Sequence, residues 1–273
     1  MLTNVPAMDL TSPQVWDRYY DQHVAPSRPL PAMLSPRDPQ RRRLIRLLRQ
    51  VLPRDPGGRL LEVGCGGSEC LPFFALEFGY EIWGIDYSPA GAALARRNLE
   101  LLGLSGHIVQ GDFLDPETLR GERFSAVVSF GVIEHSDEPE RFIARKAQLV
   151  QPGGLVVTQV PNLLGYAGRL LRLSRPEVYR QHVPISAEQL HQLHADAGLV
   201  PVLSARYFGT LDLWQLNPWL GWYARLPVPL PRLLPKAITA ANLALGAVLE
   251  RLPGPPESRF FSPDVIAVYR KPA

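Results

Sequence analysis

Three glycines within one four-residue turn are the clearest chemical signal of this 273-residue sequence. Gly64, Gly66 and Gly67 follow the apolar run 60–63, which reads as a buried strand. Because glycine has no Cβ, such a turn adopts unusual dihedrals and lets a ligand approach the backbone closely. Ser68 is predicted to cap the next helix, whose free N–H groups face the same crevice. The pattern is typical of a nucleotide-type ligand site.

The spacing after the glycines restricts the kind of ligand. A dinucleotide fingerprint needs a small residue three positions after Gly66, where this chain has Glu69. A phosphate-binding loop needs Gly-Lys-Ser/Thr, which is absent from this stretch of the sequence. The turn therefore favours a ligand with a sugar and no pyrophosphate. A tight strand-to-helix turn with no ligand is the alternative that the glycines alone leave open.

An acidic residue, Asp86, stands about twenty residues past the glycines, at the carboxyl end of the predicted strand 80–86. A carboxylate at this place can accept hydrogen bonds from ribose hydroxyls. A second acid, Asp112, ends a short predicted strand at 106–110. For both acids, loop solvation or helix capping is the competing interpretation.

Strands must position these residues, and the chain alternates strand and helix patterns. Further strands are predicted at 124–130, 154–160, 199–207 and 264–270, with helices at 88–103 and 137–149. This alternation predicts an α/β fold with a doubly wound, mostly parallel, seven-stranded sheet. The positions of Asp86 and Asp112 then fall at the carboxyl edge of that sheet.

Five ordered motifs resemble those of class I S-adenosylmethionine-dependent methyltransferases. They are E-V-G-C-G-G-S at 62–68, G-I-D-Y-S at 84–88, G-D-F at 111–113, S-F-G-V-I-E-H at 129–135 and L-V-Q-P-G-G-L-V-V at 149–157. The nearest resemblance is to ubiquinone-biosynthesis-type and broader small-molecule methyltransferases. It covers residues 55–160 well and 182–205 loosely. A Rossmann-like methyltransferase fold and the cofactor S-adenosyl-L-methionine, with S-adenosyl-L-homocysteine as product, are what the resemblance implies.

The resemblance also implies roles for individual residues around the cofactor. The residues that would hold or line its methionine end are Glu62, Gly64, Cys65, Gly66, Phe130 and Gly131. Asp86 would bind the ribose hydroxyls, and Tyr87 would pack beside the sugar or adenine. Asp112 would accept from the adenine amino group, while Phe113 would flank the ring.

Two departures from the family pattern bear on these roles. Ser68 stands at the last glycine position of the first motif, and we expect a local backbone adjustment there with binding retained. Some ubiquinone-type enzymes hold a divalent metal with E-V-I-E-H, but here Gly131 replaces the first acid. Because a hard cation needs several oxygen ligands, we expect no essential metal at Glu134 and His135.

Methyl transfer to a hydroxyl requires a base, and histidine is the default because its pKa lies near neutrality. His135, just past the fourth strand, and His182, after the fifth, are the candidate catalytic residues. Ordering of the loop is the competing role for His135. His191 and His194 fall in the helical pattern 186–197, and we expect them on the helix surface.

The amino-acid composition restricts the partners and the cellular setting that the protein is expected to have. A net charge of +3 and the lack of an aromatic-rich RNA motif argue against a nucleic-acid partner. The two cysteines, Cys65 and Cys70, flank a helix start and do not form a disulfide framework, which favours a reduced, cytoplasmic setting. No signal segment or transmembrane segment is predicted. Peripheral membrane contact and a homodimer remain open.

The segments outside the core are expected to decide the acceptor. Residues 1–54 are predicted as an amino-terminal helical lid, 55–209 with 260–273 as the methyltransferase core, and 210–259 as an apolar, aromatic insert that caps the acceptor pocket. The helices expected in the lid are 14–22, with Trp16, Tyr19 and Tyr20, and the arginine-rich 39–52. For the insert, a dimer surface or a membrane contact is the alternative.

These observations predict methylation of a small hydrophobic or aromatic acceptor, most simply O-methylation of a secondary metabolite or quinone-type precursor. N-, C- or carboxyl-methylation of a similar molecule is the alternative within enzymes. A cofactor-binding, non-catalytic accessory protein is the alternative from another class, because binding a cofactor is not turnover.

Overall fold

Seven strands form a mostly parallel sheet in the computed structural model, which describes residues 12–23, 38–211, 213, 230–249, 251 and 257–273. The strands are β1 (Arg59–Val63), β2 (Glu81–Asp86), β3 (His107–Gln110), β4 (Phe124–Phe130), β5 (Val150–Pro161), β6 (Val200–Phe208) and β7 (Asp264–Arg270). Their order is β3-β2-β1-β4-β5-β7-β6, and β7 runs antiparallel to both of its neighbours. The predicted α/β, doubly wound, seven-stranded fold is confirmed.

Helices connect the strands and cover both faces of the sheet. The described helices are α1 (Pro13–His23), α2 (Pro39–Val51), α3 (Cys70–Phe78), α4 (Pro89–Leu101), α5 (Pro139–Leu149), α6 (Tyr166–Ser174), α7 (Pro176–Tyr179), α8 (Ala187–Asp196) and α9 (Leu230–Leu249). A 3₁₀ turn, Ile133–His135, follows β4.

The central strands are apolar along their whole length because helices bury them on both sides. One face packs Val127 and Val156 against α5 and α8, as part of a cluster that includes Ile143 and Leu190. The other face packs strands β1, β2 and β4 against α2, α3 and α4, with Phe73 at its centre. The two clusters fix the sheet, so the carboxyl ends of β1, β2 and β4 are held at one edge.

Element boundaries agree with the sequence pattern at β4 and β7, and they differ at two turns. Strand β5 begins at Val150, four residues before the predicted start, because Val150 still pairs with Phe124 before the register shifts. Helix α3 begins at Cys70 with Glu69 at the N-cap, so the prediction of Ser68 as the N-cap is wrong. The Ser68 hydroxyl nevertheless accepts a hydrogen bond from the Cys70 N–H at 2.8 Å.

The arginine-rich helix α2 meets acidic residues of the same chain. Arg41 pairs with Glu69 at 2.7 Å, and Arg49 pairs with Glu77 at 2.8 Å. The opposite face of α2 buries apolar residues such as Leu48 in the core. These contacts attach α2 to α3, beside the glycine turn.

The segment between β6 and β7 is described in part. The prolines of this segment predict a turn over 227–235, and this prediction is wrong from residue 230 onward because helix α9 begins there. This helix packs on α2, where a Cβ at Gly246 would lie 2.1 Å from Cγ of Pro39. Trp214, Trp219, Trp222 and Tyr223 lie outside the described residues. No described helix is long and apolar enough to cross a membrane.

A lysine is fully buried behind the carboxyl edge of the sheet. The Nζ of Lys146 lies 2.9 Å from Ser129 Oγ, 2.7 Å from the Val157 carbonyl oxygen and 2.8 Å from Thr158 Oγ1. Burial lowers the pKa of Lys146 well below its ordinary value of 10.5. The sequence pattern gave no sign of this lysine, since it lies in an ordinary amphipathic helix.

The same buried network includes His194, whose predicted place on a helix surface is wrong. Its Nδ1 lies 2.7 Å from the Leu190 carbonyl, which places the proton on Nδ1. Nε2 therefore accepts from the Thr158 hydroxyl at 3.0 Å. Burial lowers the pKa of His194 to about 3, so the ring is neutral. His191, three residues earlier, is exposed as expected.

Candidate active site

The glycine turn after β1 is shaped by the strand next to it. Gly64 has a φ of +72°, a conformation that favours glycine, and its N–H donates to the Ile85 carbonyl at 2.8 Å. A Cβ at Gly64 would lie 2.5 Å from Val132 Cγ2. Both the dihedral and the space therefore require glycine at this position.

Asp86 faces the turn from the end of β2. Its Oδ2 accepts from the Gly66 N–H at 2.8 Å and from the Tyr20 hydroxyl at 3.4 Å, and its Oδ1 accepts from the Ser88 N–H at 2.9 Å. Burial raises the pKa of Asp86, although these hydrogen bonds oppose the shift. Each carboxylate oxygen can accept two hydrogen bonds, so Oδ1 keeps capacity for a ligand hydroxyl.

A cavity of about 530 Å³ opens at this edge of the sheet. Among the residues predicted to contact a cofactor, six line it: Gly64, Asp86, Tyr87, Asp112, Phe113 and Gly131. His135, Trp16 and Tyr20 also contribute to its wall. The structure thus brings together residues from four strand ends and from the amino-terminal helix.

Four of the predicted cofactor residues lie behind that wall. Glu62 accepts from the Ser68 hydroxyl at 2.7 Å, and burial raises its pKa to about 8, so the carboxyl is protonated at neutral pH. Cys65 is buried beneath the turn, where burial raises the pKa of its thiol. Phe130 stacks on Phe74 at 6.4 Å. Gly66 contributes its backbone N–H to Asp86.

The far wall consists of the loop after β3. Asp112 is exposed, and its Oδ1 accepts from the Leu114 N–H at 2.8 Å, which orders the loop. Phe113 is buried, and its ring centroid lies 4.8 Å from that of Phe142. Opposite them, Gly131 has a φ of +66° and donates to the Gln159 carbonyl at 2.9 Å. Aromatic side chains therefore line one end of the cavity, and the backbone of Gly131 lines the other.

Helix α1 lies across the cavity and is held there by a carboxylate. Asp17 Oδ1 accepts from the Ser88 hydroxyl at 2.6 Å and from the Ala90 N–H at 3.1 Å, at the amino end of α4. Negative charge is favourable at a helix amino terminus, so this contact stabilises the docked position of α1. The docking places Trp16 and Tyr20 on the cavity wall.

The two candidate catalytic histidines lie against each other. The ring centroids of His135 and His182 are 4.4 Å apart, and Trp16 packs edge-on to His135 at 5.0 Å. His182 Nδ1 lies 2.8 Å from the Val178 carbonyl, so Nδ1 carries the proton and Nε2 is an acceptor. Of the two rings, His135 lines the cavity.

Burial keeps both histidines neutral. Burial, and then the neighbouring His182, lower the pKa of His135 to about 4. Burial likewise lowers the pKa of His182. Glu134 is also buried, with a pKa raised to about 8, and its Oε1 lies 3.8 Å from His135 Nε2. Within the described parts of the chain, no group of three or more His, Cys, Asp or Glu side chains could hold a metal ion.

Sequence reasoning missed two residues that shape this site. Val132 fills the space that Gly64 leaves open, and Asp17 docks the amino-terminal helix. The apolar pair Val132-Ile133 before Glu134 was a usable signal for the valine, whereas Asp17 acts on Ser88 across 71 residues. The local sequence gives no sign of so distant a contact.

A sheet in this order, with a glycine turn after β1 and a buried acid at the end of β2, is the fold of class I S-adenosylmethionine-dependent methyltransferases. A family model described as a methyltransferase domain matches residues 37–204. The chain therefore belongs to the methyltransferase domain family. Members of this class use S-adenosylmethionine as their methyl donor.

Individual proteins with similar sequences are also named as methyltransferases. A ubiquinone biosynthesis O-methyltransferase from Cereibacter sphaeroides is 29% identical over 155 residues, which cover 54% of this chain and 62% of that relative. One from Rhodopseudomonas palustris is 35% identical over 176 residues, covering 59% and 67%. The chain thus spans less than two thirds of the first relative's length.

A solved structure supports the fold. The phosphoethanolamine N-methyltransferase 2 of Haemonchus contortus, in complex with S-adenosyl-L-methionine, matches with a TM-score of 0.57 at 16% identity. The match covers 85% of this chain and 52% of that one. The two proteins therefore share this fold at low sequence identity.

The residues of the site fit this cofactor. Gly64 lines the cavity without a side chain, so a ligand can approach the backbone there, and Asp86 keeps acceptor capacity for a hydroxyl. Phe113 and Tyr87 supply flat apolar surface along the same cavity. The cavity volume lies within the range for small-molecule and cofactor sites, roughly 300–1,000 Å³.

Proposed function

We propose that the protein transfers a methyl group from S-adenosylmethionine to a hydroxyl of a small hydrophobic or aromatic acceptor. The observation that carries this proposal is the neutral pair His135 and His182 at the wall of the cofactor cavity, beneath Trp16. A hydroxyl acceptor must lose a proton, whereas carboxylate methylation needs no base. The similarity to ubiquinone biosynthesis O-methyltransferases supports transfer to oxygen and a quinone-type precursor.

The cofactor roles follow from the place of each side chain. Asp86 accepts hydrogen bonds from the ribose hydroxyls, and Tyr87 packs beside the sugar. Asp112 accepts from the adenine amino group, and Phe113 flanks the ring. The turn at 64–66 holds the methionine end by its backbone.

Four more residues support the methionine arm. Glu62 and Cys65 stiffen the turn from below, because both are buried and the Glu62 carboxyl is bonded to Ser68. Phe130 and Gly131, at the end of β4, bound the arm on its other side. The open backbone at Gly131 leaves room there for the acceptor.

The protein contributes to the reaction by positioning the acceptor and by removing the proton of its hydroxyl. A sulfonium supplies an already activated methyl group, so in-line displacement needs little further activation. His135, which is neutral because burial lowers its pKa to about 4, accepts the acceptor's proton. His182 packs against the His135 ring and fixes its position, while Trp16 and α1 exclude water.

The segments around the core have roles in this proposal. Residues 1–54 form a lid, because α1 docks on α4 through Asp17 and covers the cavity. Residues 55–209 and 260–273 form the catalytic core. Residues 210–259 cap the acceptor pocket, supported by the packing of α9 on α2.

Calorimetry with S-adenosylhomocysteine tests the cofactor assignment. The wild type should bind, and Asp86→Ala should bind at least tenfold more weakly because the ribose hydroxyls lose their acceptor. Asp115→Ala is the matched control, since Asp115 is exposed and bonds its own loop. No binding by wild type, or equal binding by Asp86→Ala, contradicts the assignment.

Turnover of a phenolic acceptor, with a prenylated catechol as the first probe, tests the base. His135→Gln should lower kcat by about 10²-fold, at the lower end for general bases because a base of low pKa is weak. His182→Gln should lower kcat less, and both should keep the affinity for S-adenosylhomocysteine. His107→Gln is the control, because His107 is exposed and stacks on Trp83.

Other outcomes identify the alternatives. Full rate on the catechol in both histidine variants would mean that neither histidine acts as the base. Turnover of an amine, carbon or carboxylate acceptor in place of the catechol would indicate N-, C- or carboxyl-methylation. Cofactor binding with no turnover of any phenolic, amine or carboxylate acceptor would indicate a cofactor-binding accessory protein.

A further inference from the structure

Three large apolar side chains, from helix α6 and from the segment before β7, are exposed on the carboxyl side of the sheet. Phe260 is 42% exposed, Phe261 46% and Leu173 82%. The two phenyl rings pack edge to face with their centroids 4.9 Å apart. Single exposed apolar residues are ordinary, whereas a contiguous set of them marks an interaction surface.

Two arginines lie beside these side chains. The guanidinium carbon of Arg169 is 5.4 Å from the centroid of the Phe260 ring. Arg172 and Leu173 follow Arg169 by three and four positions in α6, so all three share one helix face. We call Arg169, Arg172, Leu173, Phe260 and Phe261 the basic-aromatic patch.

Arg169 and Arg172 have no acidic partner in the part of the chain that the structure describes. Among the described residues, no carboxylate lies within 4 Å of either guanidinium, although Arg175 pairs with Glu177 at 3.3 Å. Both arginine side chains are exposed. The patch therefore presents uncompensated positive charge next to apolar surface.

A buried asparagine holds the two halves of the patch together. Asn162 Nδ2 donates to the carbonyls of Arg259 and Ser262, both at 2.8 Å, and its Oδ1 accepts from the Gly165 N–H at 3.1 Å. The Tyr166 N–H donates to the Phe260 carbonyl at 2.9 Å. The backbone that carries the phenylalanines is thus fixed to the start of α6, and the rings are exposed by the fold itself.

The patch lies on the same side of the molecule as the cavity. Helix α6 follows the carboxyl end of β5, and residues 257–263 lead into β7, where Asp264 pairs with Pro161. The cavity opens at the carboxyl ends of the parallel strands. A surface bound at the patch would therefore face the side from which an acceptor enters.

We propose that the basic-aromatic patch docks the protein on an anionic lipid bilayer. Phenyl rings and a leucine insert into the interfacial region, and guanidinium groups bind lipid phosphates from the same face. Charge decides against a second copy as the occupant. A twofold contact through this face would bring Arg169 and Arg172 near their own copies, and like charges across an interface are unfavourable.

Vesicle sedimentation of the full chain tests the proposal, with phosphatidylcholine vesicles compared with a 7:3 mixture containing phosphatidylglycerol. The wild type should bind the anionic vesicles more tightly and release at high salt. The double variant R169Q/R172Q should bind them roughly 30-fold more weakly, at about fivefold per arginine. R97Q/R120Q, which removes two exposed arginines elsewhere, should bind as the wild type does.

The apolar part needs its own variants. F260S/F261S should weaken binding to both kinds of vesicle, and Leu173→Ser provides a second test because this side chain is 82% exposed and its loss leaves the fold intact. All variants should keep the affinity for S-adenosylhomocysteine, which separates this proposal from the proposed function. Equal binding to neutral and anionic vesicles, no binding, or unchanged binding by R169Q/R172Q would overturn it. So would a wild-type dimer that F260S/F261S converts to monomer.

Discussion

Replacement of Lys146 by methionine should change how stability depends on pH. The ammonium group of a lysine is costly to bury, and Lys146 has three neutral oxygen acceptors around its Nζ. Its pKa is lowered well below 10.5 by burial, so the folded protein resists protonation at this site. The unfolded chain binds that proton at every pH below about 10.5.

The sign and size of the pH dependence of stability follow from this difference in proton binding between the folded and unfolded states. Because the unfolded state binds more protons, the stability of the wild type rises with pH between the lowered pKa of Lys146 and 10.5. One proton corresponds to about 1.4 kcal/mol per pH unit. For each pH unit in which Lys146 is neutral in the folded state and charged in the unfolded state, the wild type gains about 1.4 kcal/mol relative to Lys146→Met.

Urea unfolding of both proteins, followed by tryptophan fluorescence at several pH values, measures this quantity. All other titrating groups are common to the two proteins, so the difference between the curves isolates Lys146. Lys236→Met is the control, because Lys236 is exposed and its loss should leave the curve parallel to the wild type. A constant offset between Lys146→Met and wild type would refute the reasoning, since it would mean that the lysine stays charged when folded.

Further predictions concern the lid and the cavity. Gly66→Ala should weaken S-adenosylhomocysteine binding by at least tenfold in calorimetry, since its Cβ would lie 2.1 Å from the Tyr20 hydroxyl and 2.9 Å from Asp86 Oδ2. Tyr20→Phe should bind at least as tightly as wild type, because the lost hydrogen bond is a long one of 3.4 Å. Asp17→Ala should speed hydrogen exchange in α1. Turnover should stay level from pH 7 to pH 6, because the pKa of His135 is about 4 and the pKa values of Glu62 and Glu134 are about 8.

Much of the fold could be predicted from sequence because the inner strands of the sheet are buried on both faces. Strands β4 and β7 are short, continuous apolar runs between turns, and the structure places them at the predicted residues. The start of β5 was missed because Val150 precedes a Pro-Gly-Gly turn that ordinarily ends pairing. The local sequence pattern predicts strands well, but it predicts the irregular turns and bulges between them poorly.

The candidate site was predictable only where its signal is local. Gly64 and Asp86 stand at fixed distances within one βαβ unit, and both line the cavity. His194 was placed on the wrong side of its helix because Thr158, its partner, lies on a distant strand. Lys146 gave no signal for the same reason. Polar side chains inside a core are specified by neighbours that are remote in sequence.

The position of β7 in the sheet has a consequence for synthesis on the ribosome. Strand β7 is later in sequence than all other strands, yet it lies between β5 and β6. Until Asp264–Arg270 has emerged, β6 has no hydrogen-bonding neighbour and β5 has an open edge. The nascent chain therefore carries two unpaired strand edges through the synthesis of residues 209–263, a period in which pairing with another chain competes with folding.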